Sequence, residues 1–289
     1  MMSDRVTKVV LTIGGSDSGG GAGIQADLKT FCVLGLHGTC AITAITAQNT
    51  LGVQRVFGLA PEIVAEQLRS VSDDFPVAFA KTGMLHTAEV VNVVADHLRE
   101  RKIPFVLDPV IEAEAGGRLL RPDAVLSLKE KLIPLATVVT PNIFEARALT
   151  GIVVRDRQTA DSAAKRILET GAKAVIVKGG HLDCIDLLMT EKQTILLTGE
   201  RIKGENHGVG CTYSAALTSF LAQGKSLQES ARLAKMFAER ALLGSMRLGR
   251  GVGPVGHASA AAMAAGWASC TGCNPAPGTH ETVSEDGKI

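Results

Sequence analysis

Apolar runs rich in β-branched residues alternate with stretches of helical spacing along most of this chain. The runs cover residues 8–13, 39–47, 77–81, 105–107, 137–140 and 174–178. The helical stretches cover 24–34, 61–72, about 87–101, about 122–132, 143–149 and 159–170. Strand-then-helix repetition of this kind predicts a parallel sheet covered by helices on both faces, because each crossover lays a helix against the sheet. After residue 180 the pattern changes. Runs at 185–189 and 194–197, separated by Glu191-Lys192-Gln193, read as a hairpin and predict an antiparallel edge. Two long helices follow, at about 211–222 and 227–248. From Gly249 on, Gly, Ala, Ser, Pro and Thr dominate, a composition expected to be flexible, above all after Asn274.

The chain has 289 residues and a formal net charge of +1. That length fits one large α/β domain, or at most two small ones. The charge balance gives no basis for a nucleic-acid or anionic-membrane partner. One Trp and one Tyr also argue against a surface that stacks bases. No apolar run is long enough to span a bilayer, and the first five residues lack the core of a signal peptide. Six irregularly spaced cysteines fit reduced thiols and a cytoplasmic location better than a disulfide framework. Cys270 and Cys273 have half of a zinc-site spacing, but no second pair lies nearby, so they read as an incidental thiol pair.

In a parallel sheet the ligand sits beyond the carboxyl ends of the strands. Here those ends carry Gly15-Ser16-Asp17, Gln48-Asn49, Gly83-Met84, Asp108-Pro109, Pro141-Asn142 and Lys178-Gly179-Gly180. A further segment, Asn206 to Leu217, joins a glycine turn to a helix of small residues. The first N–H groups of that helix lack partners within it and suit a phosphate or oxyanion. Cys211 sits in the same field, which is expected to favour thiolate over thiol. A dinucleotide site is disfavoured, since the second strand ends in Gln48-Asn49-Thr50 with no acid to hold a ribose. A P-loop fails as well, because Lys178 precedes its glycines instead of following them.

The stretch from Ile13 through Gly14-Gly15-Ser16-Asp17-Ser18 and Gly23-Ile24-Gln25-Ala26-Asp27 to Thr30 closely resembles hydroxymethylpyrimidine/phosphomethylpyrimidine kinase. So do Thr46-Ala47-Gln48-Asn49-Thr50, Lys81-Thr82-Gly83-Met84-Leu85, Leu107-Asp108-Pro109-Val110, Thr140-Pro141-Asn142, Val177-Lys178-Gly179-Gly180-His181 and the Cys211 segment. The blocks keep their order from about residue 8 to Val255. The resemblance implies a ribokinase-like kinase domain over residues 1–255, with 256–289 as a tail. It implies ATP-dependent phosphorylation of 4-amino-5-hydroxymethyl-2-methylpyrimidine and of its monophosphate in thiamine biosynthesis, and a homodimer.

On that resemblance Gln48 reads the pyrimidine, Gly15 lets the ring approach the backbone and Met84 forms an apolar wall. Asp17 and Asp27 touch the substrate hydroxyl or order the glycine-rich loop. Cys211 is the base, and the amides of Gly208, Val209 and Gly210 hold the transferred phosphoryl group. Asn142 and Lys178 bind ATP. Glu145, with Asp108 as a weaker candidate, helps hold Mg²⁺, although Glu145 equally suits a helix first turn. Three departures stand out. Val209 replaces the Thr of the usual Gly-Thr-Gly-Cys. Glu112-Ala113-Glu114-Ala115-Gly116 is acidic where many members carry lysines. The tail beyond Val255 lies outside the resemblance. Two alternatives remain: a pyridoxal kinase, and a protein that binds a pyrimidine without turning it over.

Overall fold

The computed structural model describes residues 7–112, 119–180 and 183–261. Among them, nine strands form one sheet in the order β3-β2-β1-β4-β5-β6-β7-β8-β9. The strands are β1 (Val9–Asp17), β2 (His37–Asn49), β3 (Gly52–Gly58), β4 (Val77–Thr82), β5 (Phe105–Leu107), β6 (Val138–Val139), β7 (Ala174–Val177), β8 (Asp186–Thr190) and β9 (Thr194–Leu197). Every pairing from β2 to β7 is parallel. The hairpin of β8 and β9 adds the expected antiparallel edge.

The opposite edge was not expected. β3 pairs antiparallel with β2, and its Gln54 and Arg55 are exposed. An edge strand with polar residues mid-run lacks the apolar signature of the buried strands. β1 also runs past Gly14-Gly15, where the sequence suggested an end. A bulge between those glycines keeps it paired with β2 as far as Asp17.

The helices are α1 (Gly23–Val33), α2 (Pro61–Asp74), α3 (Ala88–Glu100), α4 (Pro122–Ser127), α5 (Ile143–Thr150), α6 (Arg157–Leu168), α7 (Val209–Ala222) and α8 (Leu227–Leu243). After α4 the chain continues in a π turn and a 3₁₀ turn to Leu135. Side chains alternate across the sheet with the period of two that strands impose. Leu11, Leu107 and Val175 join one core with α2, α3, α4, α5 and α6. Val10, Val106 and Ile176 join a second core with α1, α7 and α8. α7 is buried around almost its whole circumference, which makes it the central helix of its layer.

α8 ends at Leu243, short of the expected residue 248, with Gly244 as its cap. A Cβ on Gly244 would come within 2.4 Å of Ser259, so glycine lets the chain fold back there. Residues 257–261 are helical and dock beside α8, with Gly256 N donating to Ala241 O at 2.8 Å. Val255 and Ala260 are buried in the second core. The rest of the tail, with Cys270 and Cys273, lies outside the described residues, as does the Ala113–Gly116 stretch. No helix among the described residues is long and apolar enough to cross a membrane.

Candidate active site

β1 lies between β2 and β4, so the loops leaving β1 and β4 diverge to opposite faces. A cleft opens at such a reversal, beyond the carboxyl ends of the strands. It measures about 1390 Å³, above the ~300–1,000 Å³ usual for one small ligand, and so has room for two. All thirteen candidate residues line it: Gly15, Asp17, Asp27, Gln48, Met84, Asp108, Asn142, Glu145, Lys178, Gly208, Val209, Gly210 and Cys211. Gln48 and Cys211, far apart in sequence, therefore face one space.

The glycine-rich loop, residues 18–22 between β1 and α1, is ordered by Asp17. Its carboxylate accepts from the amides of Gly19 (2.7 Å), Gly21 (3.0 Å) and Ala22 (2.8 Å) and from His207 Nε2 (2.9 Å). Burial raises its pKa, but the His207 bond and the Ala22 and Gly19 amides outweigh that, and the net shift is downward. Gly23 has φ +56°, and a Cβ there would lie 2.3 Å from Gly15 O, so only glycine fits. Met84 covers Gly15: a Cβ on Gly15 would meet Met84 Sδ at 2.9 Å. Met84 itself packs with Ala44 and Leu119.

Asp27 lies deeper. It takes two contacts from Lys81 Nζ, at 2.8 and 2.9 Å, and one from Thr12 Oγ1 at 2.6 Å. Both partners are buried, with side chains 1 % exposed. Burial lowers the Lys81 pKa, but Asp27, with Cys211 and Asp108 adding to it, outweighs that and holds the ammonium above its usual value.

A second polar group forms around Asp108, which is buried. Lys178 Nζ reaches its Oδ1 at 2.9 Å and Ser214 Oγ its Oδ2 at 2.9 Å. Lys178 is also 4.0 Å from Glu145 Oε2. Burial lowers the Lys178 pKa, yet Asp108 and Glu145 raise it further, so this lysine too stays charged. Glu145 completes a capping box on α5: Asn142 Oδ1 accepts from the amides of Phe144 and Glu145, and Glu145 Oε2 accepts from Asn142 N. Glu145 thus holds the first-turn position expected of a cap and also borders the cleft.

Gly208 caps the start of α7 in the left-handed region at φ +85°, where a Cβ would fall 1.9 Å from Gly21 O. The glycine-rich loop and the start of α7 therefore touch through backbone. Val209 N donates to Asn206 O at 3.1 Å, so of the three amides expected to face a phosphoryl group, this one is already committed in a turn. Gly210 and Cys211, next in the first turn, have no partner for their N–H groups within the helix. A Cβ on Gly210 would sit 3.5 Å from Lys178 Nζ, which places the ammonium over the helix start. The Val209 side chain packs against the second core.

Cys211 departs from expectation. Burial lifts its thiol to about 11; Lys81 and the Gly23 amide draw it down, while Asp27 and Asp108 push it up. The helix field does not overcome desolvation, and the cysteine rests as a thiol.

A family model described as phosphomethylpyrimidine kinase matches residues 17–256. The chain belongs to that family. It is 48 % identical over 261 residues to the hydroxymethylpyrimidine/phosphomethylpyrimidine kinase of Haemophilus influenzae, covering 86 % of this chain and 96 % of that one. It is 47 % identical over 257 residues to the thiamine biosynthesis bifunctional protein of Geobacter sulfurreducens, covering 87 % of this chain but spanning only 52 % of that protein. Among solved structures, the ADP complex of pyridoxal kinase from Bacillus subtilis superposes with a TM-score of 0.82 at 37 % identity, over 88 % of this chain and 98 % of that one. Phosphomethylpyrimidine kinase from Clostridium difficile gives 0.73 at 40 % identity, over 81 % and 99 %. The fold is the ribokinase-like one of these vitamin kinases.

Three residues of this phosphomethylpyrimidine kinase family member escaped the sequence reading of the site: Lys81, His207 and Ser214. Lys81 carried a signal, since a lysine inside the apolar strand 77–82 needs a buried partner. His207 immediately precedes Gly208 but looked like part of a turn. Ser214 lies one turn past Cys211 on a helix of small residues, where a serine is unremarkable until Asp108 is placed beside it.

Proposed function

We propose that this chain transfers the γ-phosphoryl group of ATP to the hydroxymethyl oxygen of 4-amino-5-hydroxymethyl-2-methylpyrimidine, and then a second one to the resulting monophosphate. The observation that carries this reading is the single cleft shared by Gln48 and Cys211. A carboxamide donates and accepts at once, which suits a ring nitrogen beside an amino group. In the first step the substrate oxygen bonds to the γ-phosphorus, and the bond from that phosphorus to the β–γ bridging oxygen breaks. ADP leaves, and the hydroxyl proton passes to the Cys211 sulfur once that sulfur is a thiolate. The Gly210 and Cys211 amides and the Lys178 ammonium meet the charge on the moving phosphoryl group.

Mg²⁺ is held by one or two carboxylates plus substrate phosphates, not by an all-protein cage. The site fits that: Asp108 and Glu145 converge on Lys178, while the described residues contain no cluster of three or more ligating groups. Asp108 and Glu145 would hold the ion, which would neutralise phosphate charge.

The pyridoxal kinase reading has its own support in the similarity to pyridoxal kinases of known structure. Steady-state ADP release with ATP and Mg²⁺, measured with the hydroxymethylpyrimidine, its monophosphate and pyridoxal, separates the cases. The expected result is turnover of both pyrimidines and a lower kcat/KM for pyridoxal. Pyrimidine binding with no ADP release would leave a binding protein instead.

The chain also acts as a homodimer in this proposal. Ile45 and Phe57 are cross-strand partners at the β2–β3 edge and are 47 % and 64 % exposed, with Leu51 and Ile63 exposed nearby. An apolar group on a sheet edge is a pairing surface. Sedimentation should show a dimer that Phe57→Glu shifts to monomer; an unchanged dimer would move the interface elsewhere.

A further inference from the structure

His207 stands where the glycine-rich loop, the β2 end and the α7 loop meet. Its N–H donates to Gly253 O at 3.2 Å and its carbonyl accepts from Val255 N at 3.3 Å, so the backbone is pinned on both sides. Its ring covers Gly21, where a Cβ would come 2.2 Å from His207 Cδ2. Nε2 lies 2.9 Å from Asp17 Oδ2 and 3.5 Å from Gln48 Nε2. On the other side of Gln48, Thr46 Oγ1 is 3.0 Å from Gln48 Oε1 and 3.0 Å from Ser16 O.

The protons of this network can be counted. Asp17 accepts from three backbone amides, which favours its ionised, acceptor-only form. The His207 bond to it must then use an Nε2–H donor. A ring nitrogen that carries a proton cannot accept from the Gln48 NH₂, so two donors face each other. Thr46 has a second conflict, since its one hydroxyl proton cannot serve both Ser16 O and Gln48 Oε1. Turning the Gln48 amide by a half-rotation exchanges its oxygen and nitrogen without changing its shape. Both conflicts then disappear. The Gln48 oxygen accepts from His207 Nε2–H, which it shares with Asp17. The Gln48 NH₂ donates to Thr46 Oγ1, and the Thr46 proton goes to Ser16 O.

We infer that His207 and Thr46 are positioning residues that fix the polarity of the Gln48 carboxamide, acceptor toward His207 and donor toward Thr46, and so set which ring the cleft prefers. This rests on the proposed role of Gln48 as the pyrimidine contact. One oxygen lone pair and one N–H remain for the ligand. An aminopyrimidine meets both when its amino group lies on the His207 side and the adjacent ring nitrogen on the Thr46 side. Pyridoxal, whose ring nitrogen has no amino neighbour, meets only the donor. A site built to hydrogen-bond a group disfavours the analogue that lacks it.

The test is a double-mutant cycle on KM, read by ADP release, with the parent, His207→Phe, Gln48→Ala and the double variant. His207→Phe should raise KM for the hydroxymethylpyrimidine about tenfold, the loss expected for one hydrogen bond of roughly 1.4 kcal/mol, and change kcat and the pyridoxal KM far less. In the Gln48→Ala background the same change should have little further effect. His207→Gln, which keeps an N–H donor, should recover most of the loss. An equal fold-change in both backgrounds would overturn the inference and leave the kinase reading standing. No effect of Gln48→Ala on KM would overturn the Gln48 reading and this inference with it. Should His207→Phe melt many degrees below the parent, Thr46→Val against Thr46→Ser runs the same cycle from the other side of the amide. There Val, which lacks the acceptor, should raise KM only while Gln48 is present, and Ser should not. A Val effect that persists without Gln48 again overturns the inference.

Discussion

Cys211→Ala lowers kcat by about 10²–10⁴-fold, the usual contribution of a general base, and leaves KM for the pyrimidine within about threefold. The cysteine touches the reacting hydroxyl in the proposed chemistry, whereas ring recognition belongs to Gln48, so the loss falls on turnover. The pH dependence is the sharper result. Burial holds the thiol at about 11, and the base works only when deprotonated. Below that value the active fraction grows tenfold per pH unit, and kcat/KM, which reports the free enzyme, climbs steadily from neutral pH into the alkaline range. Cys211→Asp places a carboxylate there and flattens that limb. Alkylation of Cys211 by iodoacetamide should accelerate along the same curve. A kcat/KM profile that is flat between neutral pH and pH 9 would remove the thiolate from the mechanism, as would full activity in the alanine variant.

The second large effect concerns the floor of the cleft. Asp27→Ala leaves the Lys81 ammonium buried without its partner, and breaking a buried pair from one side costs about 3–5 kcal/mol. For a chain of this size that corresponds to a fall of roughly 10 °C in melting temperature. The opposite single change, Lys81→Met, costs less. Asp27 already has its pKa raised, by burial above all, and without Lys81 it can take up a proton, keeping its bond with Thr12. The double replacement Asp27→Leu with Lys81→Met should recover much of the loss, since apolar pairs of similar volume often equal or exceed buried ion pairs. Thermal melts of the three variants decide this. Equal losses in both single variants would mean that Asp27 gains no relief by taking up a proton once Lys81 is gone. Because Lys81 is also the strongest group drawing the Cys211 thiol down, Lys81→Met should displace the alkaline limb of the activity profile upward as well.

The positions of the central strands were legible from the chain because β1, β5, β6 and β7 are buried along nearly their whole length and read as compact apolar runs. The helices between them showed by their spacing, and the turns at their ends by glycine and proline. β3 stayed hidden because an edge strand is half solvated, and Gln54 and Arg55 break its pattern. The end of α8 was misplaced because Gly244 stops the helix for a reason 15 residues away in the chain, the return of Ser259 against it.

The sequence by itself determined the layered α/β architecture and which strand ends would carry polar groups, since alternation and punctuation are local properties of a chain. Only the tertiary structure decided which of those groups meet and in what state. Lys81 finds Asp27 across 54 residues, His207 finds Asp17 across 190, and Cys211 is a thiol, because pairing and desolvation depend on what surrounds a group in space.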